Sequence, residues 1–146
     1  MKSIIRFLPF LALLIAPSAL ADKEQSDSCL RTKIWEDYTE GWAVRTATNT
    51  QLKVGEHKIY LVTLYAGNTY KFMVCGDESA VDIDLALHDA DGKPMEHDSD
   101  DDNTEGEKPD PSIQFTPQKT STYYVAVYAQ SVKGETTNVA MAVTYQ

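Results

Sequence analysis

The sequence lacks the short motifs that mark the common catalytic chemistries. No Gly-x-Ser-x-Gly elbow presents a nucleophilic serine, no His-Glu-x-x-His pair holds zinc, and no glycine-rich loop offers backbone N–H groups to a phosphate. The three histidines, His57, His88 and His97, are scattered along the chain, and His88 reads as a strand end rather than a zinc ligand. Carboxylates are numerous, yet nothing singles out two of them as a glycosidase pair. Cysteine is scarce: Cys29 and Cys75 are too few for a Cys-only metal site, and a catalytic thiol would leave its companion unexplained. Basic residues are in deficit, 13 Lys and Arg against 22 Asp and Glu, which gives a formal charge of −9. Such a surface repels nucleic acid and anionic lipid and favours cations or basic protein partners. Self-similarity at a fixed period is also missing, which argues against a solenoid or propeller. These absences point to a protein that is not an enzyme.

What is present begins with an export signal. Lys2 and Arg6 make a basic start, Phe7 to Ala16 form an apolar run too short to span a bilayer comfortably, and Ala19-Leu20-Ala21 fits signal peptidase. Pro17 suits a cleavage site better than a helix crossing the membrane. Cleavage is therefore expected after Ala21, with the mature protein periplasmic or secreted and not inserted in the membrane. Removing 21 of the 146 residues leaves 125, enough for one domain with a real core. It also removes two bases and no acid, which takes the formal charge from −9 to −11. In an oxidising compartment the two cysteines are most simply a Cys29–Cys75 disulfide. That bridge ties the N-terminal segment to the end of a core strand and closes a loop of about 46 residues, for which loop-closure entropy gives ~4 kcal/mol at most.

Residues 22–28 are polar throughout and read as a mobile tail. From Leu30 to Trp42, Ile34, Trp35 and Tyr38 could line one face of a short helix, although Gly41 and the aromatic content also suit irregular chain packed on a sheet. A strand is expected around Val44 to Thr48. After Gly55 the period becomes two. Tyr60, Val62 and Leu64, then Tyr70, Phe72 and Val74, flank the turn Ala66-Gly67-Asn68-Thr69 and read as a β-hairpin with one face buried. Val81, Ile83, Leu85 and Leu87 mark a further strand that stops at Asp89-Ala90-Asp91-Gly92. Later strands carry Ile113 and Phe115, then Tyr123, Val125 and Val127, then Val139, Met141, Val143 and Tyr145. Short strands joined by Gly, Asn, Asp and Pro turns indicate an all-β, jelly-roll-like antiparallel β-sandwich. The expected division is 1–21 signal peptide, 22–54 disulfide-tied segment and 55–146 sandwich.

The order of motifs resembles a known family. Tyr60-x-Val62-x-Leu64-x-Ala66-Gly67-Asn68-Thr69-Tyr70-x-Phe72-x-Val74 is followed by Asp82-x-Asp84-Leu85 and Asp89-x-Asp91-Gly92. Ile113-x-Phe115-Thr116-Pro117 and Thr122-Tyr123-Tyr124-Val125-x-Val127 complete the series. From about residue 55 to 145 this is similar to the bacterial pre-peptidase C-terminal domain, itself similar to the collagen-binding modules of clostridial collagenases. Ser121 stands where that family usually has Gly before the Thr-Tyr-Tyr strand, and the chain has no room for a peptidase. The resemblance implies a jelly-roll-like sandwich with a binding or accessory role, and it brings no catalytic residue.

The most unusual segment runs from His97 to Asp110. Asp98, Asp100 and Asp102 have the alternate spacing by which a loop can direct oxygens at one hard cation, with Glu105 as a further donor. An EF-hand is excluded. Counting from Asp98 puts Asn103 at the sixth position and Pro109 at the twelfth, and counting from Asp101 puts Ser112 at the twelfth. The segment is either an irregular, weak Ca²⁺ site or a solvated acidic loop. Asp82 and Asp84 lie on the polar phase of their strand and either face solvent, bond neighbouring loop backbone or, with Asp89 and Asp91, hold a metal. Trp35, Trp42 and the eight tyrosines either form a sugar or peptide platform or fill the core and cover the disulfide. The functional expectation is a non-catalytic module that binds a protein or surface polymer in the cell envelope. The alternatives are a periplasmic inhibitor or immunity protein against a cell-wall-degrading or proteolytic toxin, and a calcium-binding secreted domain.

Overall fold

The computed structural model describes residues 18–99 and 110–146. A helix, α1 (Ser18–Thr39), precedes eight strands: β1 (Ala43–Lys53), β2 (His57–Leu64), β3 (Tyr70–Gly76), β4 (Ala80–His88), β5 (Pro94–Ser99), β6 (Ser112–Phe115), β7 (Ser121–Val132) and β8 (Thr136–Tyr145). They form two four-stranded antiparallel sheets, β1-β8-β3-β6 and β2-β7-β4-β5. The expected all-β sandwich is therefore the observed fold, and it begins at β1, which pairs along its length with β8.

Period-two patterning explains the core. Phe72 and Val74 of β3 and Val139, Met141 and Val143 of β8 meet Ile83, Leu85 and Leu87 of β4 and Val125 and Val127 of β7 between the sheets. All are essentially inaccessible to water, and each such side chain stabilises the fold by roughly 1.5–3 kcal/mol relative to exposure. Val81, expected in the same row as Ile83, is instead exposed, because the β4–β7 register shifts on either side of Asp82 and turns it outward.

Two readings of the sequence are corrected. The first is the hairpin. β2 pairs with β7 and β3 pairs with β6 and β8, so the two strands lie in different sheets. Residues 65–69 carry the chain across the sandwich, where a tight hairpin would join strands through about two residues. The second is the tail. Residues 22–28 are helical. They are held by polar contacts rather than apolar ones: Ser26 is buried, the Asn49 amide donates to Ser26 Oγ and Asp27 Oδ1 at 2.9 and 2.7 Å, and Gln25 Oε1 accepts the Glu78 N–H at 2.8 Å. The helix buries Leu30, Asp37 and part of Ile34 against the first sheet, while Trp35 and Tyr38 point to solvent and stack on each other at 5.7 Å.

Candidate protein-binding surface

The two outer faces of the sandwich differ, and the difference begins at small residues. Ala140 and Ala142 of β8 and Met73 and Cys75 of β3 project away from the core and are nevertheless buried, because Leu30 and Ile34 of α1 pack on them. Small side chains let a helix approach a sheet closely. The Cys29–Cys75 disulfide fixes that contact, with the two Cα atoms 6.0 Å apart. Asp37, near the helix end, is buried and accepts hydrogen bonds from Lys71 Nζ and, at 2.8 Å, from Thr144 Oγ1. The Lys71 ammonium also lies 4.4 Å from the centre of the buried Trp42 ring. The outer face of the first sheet is thus covered.

The outer face of the second sheet carries no such cover among the described residues; α1 packs on β8, β3 and β1. Its composition follows from register. Leu61 pairs with Tyr124, which pairs with His88; Ile59 pairs with Ala126, which pairs with Ala86, which pairs with His97; His57 pairs with Tyr128, which pairs with Asp84. Directly paired residues project to the same face of a sheet. The outward phase of β7 is thereby set, since Tyr123, Val125, Val127 and Ala129 point inward. Leu61 is 65% exposed and Ile59 52%. Lys, Arg and Glu are missing from these paired positions, although charged residues make up 24% of the chain. Tyrosine is enriched and Lys and Glu are depleted in protein-interface cores, a pattern this face shares in part, since it also carries Asp84, Ala86 and Ala126. All three scattered histidines stand on this one face, His57 tilted against Tyr128 at 6.5 Å between ring centres.

The residues singled out from sequence are dispersed. Asp98 pairs with Leu85 on the inward phase of β5, and its Oδ2 accepts the Ser112 N–H at 2.8 Å, which ties β5 to β6 across the sandwich. Asp100, Asp102 and Glu105 lie outside the described residues. Asp82 and Asp84 are half-buried on β4. Asp89 closes its turn, with Oδ1 accepting the N–H groups of Asp91 and Lys93 at 3.0 and 2.8 Å. Trp42 belongs to the covered side, so it cannot share a platform with Trp35. Among the described residues the metal-ligating atoms that converge are Cys29 Sγ, Cys75 Sγ and a carboxylate oxygen of Asp110, and the two sulfurs are spent in the disulfide.

Sequence reasoning missed the open face. The available signal was Leu61 and Ile59 occupying the phase opposite Tyr60, Val62 and Leu64, where a one-sided strand would place polar residues.

Comparison with known proteins bears on the strands of this face. The family model described as the bacterial pre-peptidase C-terminal domain matches residues 56–129, which run from the start of β2 into β7. Among solved structures, PliG of Aeromonas hydrophila, a periplasmic lysozyme inhibitor of g-type lysozyme, is similar with a TM-score of 0.50 and 13% sequence identity, covering 69% of this chain and 85% of that one. At that identity the likeness concerns the fold. No curated protein matches the chain.

Proposed function

The chain belongs to the bacterial pre-peptidase C-terminal domain family, and from that premise we propose that it is an exported, non-catalytic module that binds a basic protein in the cell envelope. The observation that carries this reading is the face of the β2-β7-β4-β5 sheet left uncovered among the described residues, with exposed Leu61 and Ile59 beside Tyr124, Tyr128 and three histidines, on a protein of net charge −9. The face supplies a desolvated centre of contact, and the net negative charge of the molecule favours a partner of opposite sign. The disulfide supports a location outside the cytoplasm.

A more specific version is favoured by the likeness to PliG: the partner is a cell-wall-degrading hydrolase, and binding inhibits it. Purified protein mixed with a g-type lysozyme is expected to form a complex on gel filtration and to slow the clearing of a cell-wall suspension. Leu61→Asp combined with Tyr124→Ala should weaken both by at least tenfold while the Tm stays within a few degrees. No inhibition of g-type, c-type or i-type lysozymes would remove the inhibitor version. A pull-down from envelope extract that recovers the same proteins with wild type and with the double variant would remove the face itself. Retention on insoluble cell-wall polymer in place of any protein would overturn protein binding.

A further inference from the structure

A second site lies at the end of the sandwich, where the chain crosses between sheets. We infer that the cleft lined by Arg45, Tyr65, Asn68, Tyr70 and Tyr145 binds a carboxylate-bearing ligand, with the Arg45 guanidinium as its anchor. This goes beyond the protein-binding face and does not depend on it.

β1 pairs Val44 with Thr144 and Thr46 with Val143, so Arg45 is an extra residue, a bulge in the ladder. Bulges re-aim a side chain and recur beside functional sites. Here the bulge places the guanidinium carbon 5.6 Å from the centre of the Tyr65 ring and 5.8 Å from that of Tyr70. A guanidinium beside two tyrosine rings gains cation–π attraction and can still grip a carboxylate with two parallel N–H hydrogen bonds. No carboxylate within the described residues takes that place. The ion pairs there join Lys23, Arg31, Lys33 and Lys71 to acids, and Arg45 is in none of them. Among the described residues Arg45 is exposed and in no ion pair, so its N–H groups are open to a ligand.

The rest of the cleft is tied together by contacts within the fold. The Tyr70 ring is buried, its hydroxyl accepts the Tyr65 N–H at 2.9 Å and the Asn68 Nδ2 at 3.4 Å, and it lies against Tyr145 at 6.2 Å. Tyr145 pairs with both Ala43 and Tyr70 in the sheet, which fixes its ring as a wall. Tyr65, half exposed, forms the rim. The volume is about 240 Å³, below the ~300–1,000 Å³ of clefts that enclose drug-sized ligands. It suits one acidic side chain or one sugar ring. A single guanidinium matches the single charge of a carboxylate better than a doubly charged phosphate.

The carboxylate could come from an acidic peptide or from a sugar acid, and two titrations separate these sources. Isotope-labelled protein with its disulfide intact is titrated, by NMR, with acetyl-Ala-Glu-Ala-amide and with N-acetylmuramic acid. The neutral counterparts acetyl-Ala-Gln-Ala-amide and N-acetylglucosamine serve as controls. Saturable shifts at Arg45, Tyr65 and Tyr145 with one acid, at least tenfold weaker with its neutral counterpart, are expected, and the acid that binds names the source. Arg45→Gln should abolish them. Arg45→Lys, which keeps the charge and loses the planar fork, should weaken them severalfold. Equal shifts with acid and neutral probes, or unchanged titrations in a folded Arg45→Gln protein, would overturn the inference.

Discussion

At the scale of single residues, stability rests on a few buried polar groups that no hydropathy pattern reveals. Asp77 follows β3 and is almost wholly buried. Its Oδ1 accepts Thr137 Oγ1 at 2.7 Å and the Ser79 N–H at 2.9 Å, and its Oδ2 accepts the Asn138 N–H at 2.7 Å and Asn138 Nδ2 at 3.1 Å. One carboxylate thus closes the β3–β4 connection against β8. Asp77→Ala strands three buried donors and the half-buried Ser79 N–H, and at ~1–3 kcal/mol for an unsatisfied buried group the loss should reach about 3 kcal/mol or more in urea unfolding. Asp77→Asn should cost less, since one oxygen survives while its new N–H₂ meets the donors of Asn138; equal losses for the two variants would mean that shape rather than hydrogen bonding holds the turn. Gly76 is constrained by space: a Cβ there would stand 2.4 Å from Ala80 Cβ. Gly76→Ala should therefore destabilise by about 1–3 kcal/mol, and adding Ala80→Gly should recover part of that loss in the same measurement. The cysteines were legible because residue type and compartment suffice to pair two of them. Asp77 and Asp37 were not, because a buried carboxylate is recognised only by partners that the fold brings from residues 137, 138 and 144.

At the scale of elements, alternation made most of the strands readable, and pairing was not. Tyr60 to Leu64 and Tyr70 to Val74 have the pattern of adjacent strands, but the pattern fixes which face is buried and says nothing about which sheet a strand joins. The five residues between them cross the sandwich instead of turning back. The full length of helix α1 is hidden in the sequence for a related reason. Its inner stripe contains buried Ser26, Leu30 and Asp37 and half-buried Cys29, too polar to register as an amphipathic face, so its position is decided by the disulfide and by Asn49, Lys71 and Thr144. The bridge constrains a sequence separation of 46 residues. Replacing both cysteines by serine should cost about 2–4 kcal/mol. The helix should suffer first: hydrogen exchange in α1 should accelerate well before exchange in β8 and β3. Uniform acceleration in helix and sheet would show that α1 is integral to the cooperative core rather than docked upon it.

At the scale of the whole molecule, a sandwich with two outer faces has spent its helix on one of them. Among the described residues the other face stays open, with Leu61, Ile59, Tyr124 and Ala126 in paired rows, while the overall charge is −9. These two properties act at different stages of an encounter. Charge acts at a distance and raises the rate at which a basic partner arrives; desolvation of the apolar face acts on contact and slows its departure. Salt separates them, because the screening length falls from ~10 Å at 0.1 M to ~3 Å at 1 M. Association with a basic lysozyme, followed by surface plasmon resonance, should therefore slow about tenfold or more between ~20 mM and ~500 mM salt, with much less change in the dissociation rate. Leu61→Asp should do the reverse and speed dissociation, and it should leave the salt dependence of association nearly intact because one added acid changes the total charge little. If association proves insensitive to salt, the acidic surface does not steer the partner, and the charge excess serves solubility alone. If Leu61→Asp leaves dissociation unchanged, the contact lies elsewhere on the molecule, and the exposed Trp35–Tyr38 stack on α1 is the next surface to alter.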